Sequence, residues 1–192
     1  MSPKKGLSSV PYTLYPEPCN LEFGHMNPAI DDEILKILLE EGIDLICSVP
    51  CIMLAGVLKK LETTSITHIP VTREEEGVGI AAGISLGGGK PALIMQNSGL
   101  GNSINALLSL TKLYGLPLPL IISQRGGKGE KVLAQMPMGK ATTNLLKAAR
   151  IDYVRIKKRE DFIKMRKMIR KAFGNNKVTA IILLRKLWDE TH

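Results

Sequence analysis

The feature that most constrains the fold of this 192-residue sequence is an alternation of short, almost wholly apolar runs with longer amphipathic segments. The apolar runs have the length of strands and lie at 43–49, 66–71, 91–96, 118–123, 151–156 and 178–184. The segments between them have helical spacing and lie at 28–42, 52–62, 74–87, 102–114, 141–149 and 160–173. Strands without a polar face are typical of a parallel sheet that is covered by helices on both sides. The sequence therefore predicts a single α/β domain with three layers and a mostly parallel sheet.

Local signals predict where the domain begins and where its first helices end. Asn27 and Pro28 supply an N-cap and a first-turn proline. The residues before them contain several prolines and no hydrophobic period, so we predict an extended N-terminal arm over 1–26 and one domain over 27–192. Gly87-Gly88-Gly89 is interpreted as a helix stop immediately before a strand.

Composition and charge argue against several classes of protein. No run of about 18 uncharged apolar residues occurs, and the first residues lack the apolar core of a secretory signal. The three cysteines lack zinc-type spacing, which favours reduced thiols in the cytoplasm. The net charge is +8, and residues 141–192 hold 14 Lys and Arg against 5 Asp and Glu. Because the basic residues over 157–171 alternate with apolar ones at helical spacing, we interpret them as a solvated helix face and expect no nucleic-acid binding.

Polar or unusual residues follow four of the predicted strands. In a parallel sheet these carboxyl ends meet at one edge, which is where ligands bind in open α/β folds. A Gly-rich polar segment over 123–139 leaves the fourth of these strands, and it is either part of a binding site or a mobile surface loop. The four groups are Val49-Pro50-Cys51, Thr72-Arg73-Glu74, Gln96-Asn97-Ser98 and Ser123-Gln124-Arg125.

Several familiar sites are not supported by the residues at this edge. Gly99 and Gly101 follow a strand and open a helix, a context for close approach to a ligand, but the third glycine of a dinucleotide fingerprint is missing. The three histidines are dispersed, so we predict no metal site. Cys51 precedes a predicted helix without an evident base, which favours a structural thiol. Arg125 suits a carboxylate or a sulfonate.

Three consecutive carboxylates, Glu74, Glu75 and Glu76, open a predicted helix that is otherwise apolar and built from small residues. Carboxylates at a helix start are favoured by the helix dipole, but three of them exceed what capping requires. Gly79 and Gly83 give the helix little bulk, so we expect another group to approach its backbone closely. The function is predicted to centre on this helix.

The motif Glu-x-x-x-Val-Gly-Ile-Ala-x-Gly, which begins at Glu74, is followed by a strand and then by Asn-Ser-Gly-Leu-Gly-Asn at 97–102. Together they resemble the pyrimidine-binding domain of thiamine diphosphate-dependent decarboxylases. More narrowly, residues 49–51, 73–76, 93–102 and 125–126 resemble the sulfopyruvate and phosphonopyruvate decarboxylases, with the alpha subunit of the former as the closer match. The resemblance covers about residues 28–190.

The resemblance implies roles for particular residues. One glutamate of the family hydrogen-bonds N1′ of the cofactor's aminopyrimidine; the usual spacing to Gly83 selects Glu74, and a shorter motif selects Glu75 instead. Glu76 is expected to face solvent or to cap the helix. The implied sets are Glu74 and Asn97 for catalysis; Glu74, Glu75, Gln96, Gly99 and Gly101 for the cofactor; and Gln96, Asn97, Arg125 and Lys128 for the substrate.

One departure from the full-length family concerns the diphosphate. Family members bind it through Mg²⁺ on a second domain that is marked by Gly-Asp-Gly, and this motif does not occur here. The resemblance therefore implies a hetero-oligomer with a beta subunit that carries this domain and binds Mg²⁺. The implied reaction converts 3-sulfopyruvate to sulfoacetaldehyde and CO₂ in coenzyme M biosynthesis. The alternatives are a phosphonopyruvate or other 2-oxo acid decarboxylase subunit, and a non-catalytic α/β regulatory or binding subunit.

Overall fold

A computed structural model describes residues 27–189, so the N-terminal arm predicted over 1–26 and residues 190–192 lie outside the described residues. Strands and helices alternate along this part of the chain, as the sequence predicts. The longest of the helices have 13 residues, and none of the helices within 27–189 is long and apolar enough to cross a bilayer. The elements are α1 (Pro28–Glu40), β1 (Leu45–Ser48), α2 (Ala55–Leu61), β2 (Thr67–Pro70), α3 (Glu74–Leu86), β3 (Pro91–Gln96), α4 (Asn97–Ala106), β4 (Leu118–Gln124), α5 (Met136–Ala148), β5 (Asp152–Ile156), α6 (Phe162–Gly174) and β6 (Val178–Leu184).

The six strands form one sheet in the order β2-β1-β3-β4-β6-β5, and every neighbouring pair is parallel. The prediction of a parallel sheet is therefore confirmed. Because all strands run in one direction, their carboxyl ends lie at the same edge. In the registers that matter for the site, Gln96 pairs with Ser123 and Gln124 pairs with Leu184.

Helices cover both faces of the sheet, which confirms the three-layer prediction. One buried cluster contains side chains of α1, α2 and α6, and the other contains side chains of α3, α4 and α5. The central strand β4 supplies both clusters, because consecutive side chains on a strand point to opposite faces. Ile121 belongs to the first cluster, whereas Leu120 and Ile122 belong to the second.

Two helices begin earlier than the sequence predicts. We expect α4 from residue 102 and α5 from residue 141, but they begin at Asn97 and Met136. Residues 97–102 are rich in Gly, Ser and Asn, which have weak helix propensity, so tertiary contacts outweigh the local preference there. Pro137 in the first turn of α5 is the start signal that the prediction missed. α4 also continues directly into a π-helical segment, Leu107–Lys112, which no sequence signal indicated.

Candidate active site

The carboxyl edge of the sheet brings most of the predicted site residues together. Glu74 follows β2, Gln96 and Asn97 lie where β3 passes into α4, and Arg125 follows β4. The hydrogen bonds at this edge divide them into two groups. One surrounds the carboxylate of Glu74, and the other surrounds Asn97 and Arg125.

Glu74 is the buried member of the triple glutamate, with 7% of its surface exposed. Its Oε2 accepts a long hydrogen bond of 3.4 Å from Nδ2 of Asn102. For Oε1, no hydrogen-bond partner is found among residues 27–189. The chain therefore holds one carboxylate at the start of α3 with an oxygen left for a further partner. Asn102 was not predicted as a site residue, although it ends the motif that carries the family resemblance.

The two glycines of α4 have different surroundings. A Cβ at residue 99 would overlap the carboxylate of Glu74, so Gly99 is the residue that makes room for this carboxylate. A Cβ at residue 101 would lie 3.6 Å from Cε of Met138, which is ordinary contact. Both glycines lie inside the first turns of α4 rather than in a loop before it. The predicted close approach at Gly99 exists, but Glu74 makes it, and contact of either glycine with the cofactor stays a prediction.

The other two glutamates have local partners. Oε1 of Glu75 lies 2.6 Å from Nε of Arg73, and a hydrogen bond from its own backbone amide, together with this guanidinium, lowers the pKa of Glu75. Oε2 of Glu76 accepts a 3.0 Å hydrogen bond from the backbone amide of Thr72, which precedes α3. Glu76 is exposed and caps the helix, as predicted. Oε2 of Glu75 also has no hydrogen-bond partner among residues 27–189, so the preference for Glu74 over Glu75 rests on the burial of Glu74 and on the Arg73 pair of Glu75.

Asn97 is fully buried, and its side chain ties three elements together. Oδ1 accepts a 3.0 Å hydrogen bond from the backbone amide of Arg125, and Nδ2 donates to Oγ1 of Thr142 at 2.9 Å and to the carbonyl of Arg125 at 3.2 Å. Both amide hydrogens of Asn97 are thus used inside the chain. This geometry gives Asn97 a positioning role, and its expected contact with substrate stays a prediction. Thr142 lies in α5 and was not anticipated from the sequence.

Gln96 is half-buried beside Asn97 and lies closer to solvent. Its Nε2 donates to Oγ of Ser98 at 2.8 Å and to Oε1 of Gln135 at 3.0 Å. Gln135 ends the segment that runs from β4 to α5, so Gln96 links this segment to the end of β3. The structure therefore places Gln96 at the predicted edge, next to the loop that carries Arg125.

Arg125 is paired with a glutamate that the sequence analysis did not single out. Its Nε and Nη2 each lie 2.7 Å from an oxygen of Glu130, an arrangement of two parallel charge-assisted hydrogen bonds. Glu130 also accepts hydrogen bonds of 3.1 Å from the backbone amides of Gly126 and Val132. The Arg125 guanidinium, aided by these amides, lowers the pKa of Glu130 to about 2. Position in a Gly-rich polar loop was the only sequence signal for Glu130.

The loop between β4 and α5 closes on itself at a neck formed by Gly126 and Gly139. A Cβ at residue 139 would lie 2.5 Å from the carbonyl oxygen of Gly126, and one at Gly126, whose φ is +73°, would overlap the backbone of Gln135. Lys128 lies beyond the neck and is exposed. The segment predicted as a binding site or a mobile loop is therefore held by backbone contact at its base. Lys128 lies in a turn that is itself closed by a 3.1 Å hydrogen bond from the backbone amide of Glu130 to the carbonyl of Gly127.

No thiol near this edge is arranged as a nucleophile with a base. Sγ of half-buried Cys51 lies 3.0 Å from Oγ of Ser123, and burial raises the pKa of Cys47 to about 11, helped by the charge of Glu76. Both are free thiols. Among residues 27–189, no group of three or more His, Cys, Asp or Glu side chains could hold a metal ion.

The basic residues of the C-terminal region have two kinds of surroundings, ion pairs with α1 and a depression beside β5. Arg166 pairs with Glu40 at 2.6 Å, and Arg170 pairs with Glu41 at 2.8 Å, so part of the positive charge is neutralised by α1. Other basic residues line a depression of about 400 Å³ beside β5, formed by Arg155, Lys157, Lys158, Asp161, Lys164 and Lys186. Of these residues only Lys164 lies on α6, so the interpretation as a solvated helix face applies to only part of the positive charge.

Residues 29–153 match the family described as "Thiamine pyrophosphate enzyme, N-terminal TPP binding domain". The sulfopyruvate decarboxylase subunit alpha of Methanococcus maripaludis is 46% identical over 160 residues, which are 83% of this chain and 96% of that protein. The chain belongs to the thiamine pyrophosphate enzymes, among the sulfopyruvate decarboxylase alpha subunits. The family resemblance stated from the sequence is thus confirmed.

Two further comparisons bear on this family membership. The sulfopyruvate decarboxylase of Methanosarcina acetivorans is 37% identical over 164 residues, which are 85% of this chain but only 42% of that protein. A 2-oxoglutarate:ferredoxin oxidoreductase from Magnetococcus marinus superposes with a TM-score of 0.63 at 13% identity, over 83% of this chain and 29% of that one. The second likeness shows the fold alone.

The edge residues fit one half of thiamine diphosphate. Oε1 of Glu74 has no partner among residues 27–189 and is suited to a ring nitrogen of the aminopyrimidine. A diphosphate–Mg²⁺ group, in contrast, needs oxygen ligands for the metal, and what is found among residues 27–189 is that no three or more His, Cys, Asp or Glu side chains come together as a metal site.

Proposed function

We propose that this chain is the alpha subunit of a thiamine diphosphate-dependent decarboxylase that converts 3-sulfopyruvate to sulfoacetaldehyde and CO₂ in coenzyme M biosynthesis. The observation that carries the proposal is the 46% identity to a sulfopyruvate decarboxylase alpha subunit, of which 96% is covered. A buried glutamate with an unpaired oxygen at the start of α3 agrees with it.

Glu74 is proposed to hold the cofactor's aminopyrimidine. Bound thiamine diphosphate supplies the electron sink that accepts the electron pair released with CO₂. Oε1 of Glu74 would hold N1′ of the ring and could share a proton with it, and the hydrogen bond from Asn102 to Oε2 keeps the carboxylate in place. Glu75 is less suited to this role because its own backbone amide and Arg73 both lower the pKa of its carboxyl group and favour the charged form.

The second group of edge residues is proposed to hold the 2-oxo acid. Half-buried Gln96 lines this side of the site, and fully buried Asn97 positions the backbone of Arg125. No hydrogen bond to Nη1 of Arg125 is found within residues 27–189, so this nitrogen is available for a sulfonate oxygen. Lys128 supplies a second positive charge from the exposed part of the loop. An enclosed site strengthens such contacts because water is excluded.

A beta subunit is proposed to provide the diphosphate and Mg²⁺ site. The relative from Methanococcus maripaludis is named a subunit alpha, and the Methanosarcina acetivorans protein has more than twice the length that this chain covers. The chain itself lacks Gly-Asp-Gly. We therefore infer that the cofactor lies between two subunits.

The test is CO₂ release by this chain with and without its beta subunit, in the presence of thiamine diphosphate and Mg²⁺. We expect turnover of 3-sulfopyruvate by the complex and none by the chain alone. Phosphonopyruvate and pyruvate, assayed in parallel, identify the preferred acid. If an assembled complex decarboxylates neither sulfopyruvate nor phosphonopyruvate, the proposal is contradicted and a non-catalytic subunit is favoured.

A further inference from the structure

Glu130 has more hydrogen bonds than its salt bridge with Arg125 alone would provide. Its side chain is only 6% exposed, and both carboxylate oxygens are used twice. One oxygen meets Nε of Arg125 and the amide of Gly126; the other meets Nη2 of Arg125 and the amide of Val132. The two backbone bonds fix the carboxylate independently of Arg125, so this negative charge stays in place when an anion reaches the arginine.

The geometry of the pair leaves the guanidinium able to bind a second anion. A guanidinium has a side edge, Nε with one Nη, and an end edge formed by the two Nη nitrogens. Glu130 takes the side edge of Arg125. Among residues 27–189, Nη1 has no hydrogen-bond partner, and Arg125 keeps 21% of its side-chain surface exposed. A ligand oxyanion on the end edge would therefore lie across the guanidinium from a fixed carboxylate.

The net charge of the Arg125–Glu130 pair affects sulfopyruvate and phosphonopyruvate differently, and these are the two substrates between which the sequence does not decide. Arg125 and Glu130 together are neutral, so the pair offers directed hydrogen bonds without net positive charge. A sulfonate carries one negative charge at neutral pH. A phosphonate, like a phosphate ester, carries about −1.5 to −2 because its second pKa lies near 6. The additional charge of the phosphonate meets the repulsion of Glu130 and gains nothing further from the neutral pair. Lys128, the other charged group proposed at this headgroup, is exposed and is the same in the wild type and in a variant at residue 130, so it does not change the effect of removing the Glu130 charge.

We infer that Glu130 is a specificity-determining residue that disfavours a doubly charged phosphonate relative to a singly charged sulfonate at Arg125. The inference rests on the proposed function, in which Arg125 binds the substrate headgroup. The discrimination is electrostatic, so it follows the charge of residue 130 rather than the shape of the loop. Removal of this charge is expected to change the preference between the acids by about three- to tenfold, the range for one charge across a partly exposed site.

The decisive variant is Glu130→Gln in the assembled complex with thiamine diphosphate and Mg²⁺. The quantity measured is kcat/KM for phosphonopyruvate divided by kcat/KM for sulfopyruvate. Loss of hydrogen bonds to Glu130 lowers both rates, but such geometric losses cancel in the ratio. We expect the ratio to rise at least threefold over the wild-type complex.

Two control variants separate charge from shape. Glu130→Asp keeps the charge and shortens the side chain, so the ratio should stay near the wild-type value even if both rates fall. Glu160→Gln removes a charge from an exposed residue that pairs with Lys158 after β5, and it should leave the ratio and both rates unchanged. An equal rise of the ratio in all three variants would overturn the inference.

The wild-type complex provides a measurement that does not depend on the folding of any variant. Between pH 5.5 and 8, the phosphonate gains its second charge while the sulfonate stays singly charged. The ratio should therefore fall as pH rises, and the fall should be weaker in Glu130→Gln. A ratio that is constant or rises with pH, or one that is unchanged by Glu130→Gln, would overturn the inference alone. A complex that decarboxylates neither acid would overturn it together with the proposed function.

Discussion

A single pair of residues, Glu74 and Gly99, defines the start of the proposed cofactor site. The carboxylate of Glu74 can lie against α4 only because residue 99 has no side chain. Burial on this side and the long bond from Asn102 leave one oxygen for a ligand. Its neighbours Glu75 and Glu76 look alike in sequence, but each is held by a nearby donor. The structure thus separates three identical side chains by what each one touches.

This difference predicts unequal effects of two isosteric substitutions. Glu74→Gln removes the proton-sharing group from the aminopyrimidine, so turnover should fall about 10²- to 10⁴-fold, the range for a lost general acid or base. Glu75→Gln removes only a charge that Arg73 already holds, so turnover should fall less than about tenfold. The measurement is CO₂ release by the assembled complex, with assembly checked by size-exclusion chromatography. A larger loss in Glu75→Gln would assign the cofactor role to Glu75.

At this scale the sequence predicted residue positions better than residue contacts. Glu74, Gln96, Asn97 and Arg125 could be placed at one edge because they follow parallel strands. Glu130 could not be assigned, because its bonds to Arg125 and to two backbone amides depend on a loop conformation with positive φ at Gly126. In the sequence, the only sign of such a loop conformation is a glycine.

Helix α3 has two faces that are both built from small residues, for different reasons. Gly77 lies against the sheet, where a Cβ would approach Cδ1 of Leu93 to 2.7 Å. Around Gly79 and Gly83, in contrast, no atom lies within 4 Å of an added Cβ. The sequence predicts that another group approaches this helix closely. Within the described residues the sheet does so at the face of Gly77, and no group does so at the face of Gly79 and Gly83. The open face is the one suited to the beta subunit.

Two substitutions in α3 test this division. Gly83→Leu should leave the chain folded, because leucine has the higher helix propensity, but it should raise the dissociation constant for the beta subunit at least about tenfold. Gly77→Ala should instead lower the free energy of unfolding by about 1–3 kcal/mol through overpacking. Chemical denaturation and a binding titration measure the two effects. Normal assembly of Gly83→Leu would show that the open face does not meet the partner.

Element boundaries were predictable where local signals and tertiary contacts agree. The N-cap and proline at Asn27 and Pro28, and the glycines after Leu86, place helix ends as the structure has them. The start of α4 was missed because residues 97–102 favour a turn locally, whereas the bonds of Asn97 to Arg125 and Thr142 hold them in a helix. These bonds join residues far apart in the sequence, which no local pattern records.

The first helix and the last turn of the described residues are joined by a buried hydrogen bond. Nε1 of Trp188 donates a 2.9 Å hydrogen bond to Oδ1 of Asp31, and both residues are buried. Burial raises the pKa of Asp31 above 3.8, while the bond from Trp188 and the charge of Lys60 oppose this effect. A carboxyl group with a raised folded-state pKa stabilises the fold below its unfolded pKa, and this contribution is lost as pH rises through the folded value.

Removal of the Trp188 hydrogen-bond donor should therefore lower the free energy of unfolding more at neutral pH than at acidic pH. In Trp188→Phe, the carboxylate of Asp31 stays buried with one bond fewer, and the free energy of unfolding should fall by about 1–3 kcal/mol at pH 7 from this cause. Because burial raises the pKa of Asp31, this carboxyl group is protonated at pH 3 and accepts only a weaker, neutral hydrogen bond, so the loss there should be smaller. Denaturant titrations of both chains at pH 7 and pH 3 measure the difference. An equal loss at both pH values would show that the hydrogen bond does not depend on the charge of Asp31.

The glycine neck of the loop between β4 and α5 has a consequence for how this protein can diverge. Any side chain at Gly126 or Gly139 collides with the opposite backbone, so neither glycine can be replaced without a change in the backbone. Residues beyond the neck, such as Gly127 and Lys128, are exposed and face no such collision. If the loop binds the substrate headgroup as proposed, mutations at the loop tip would change the headgroup preference without disturbing the helix that carries Glu74. In this way the neck separates the part of the site that can change from the part that cannot.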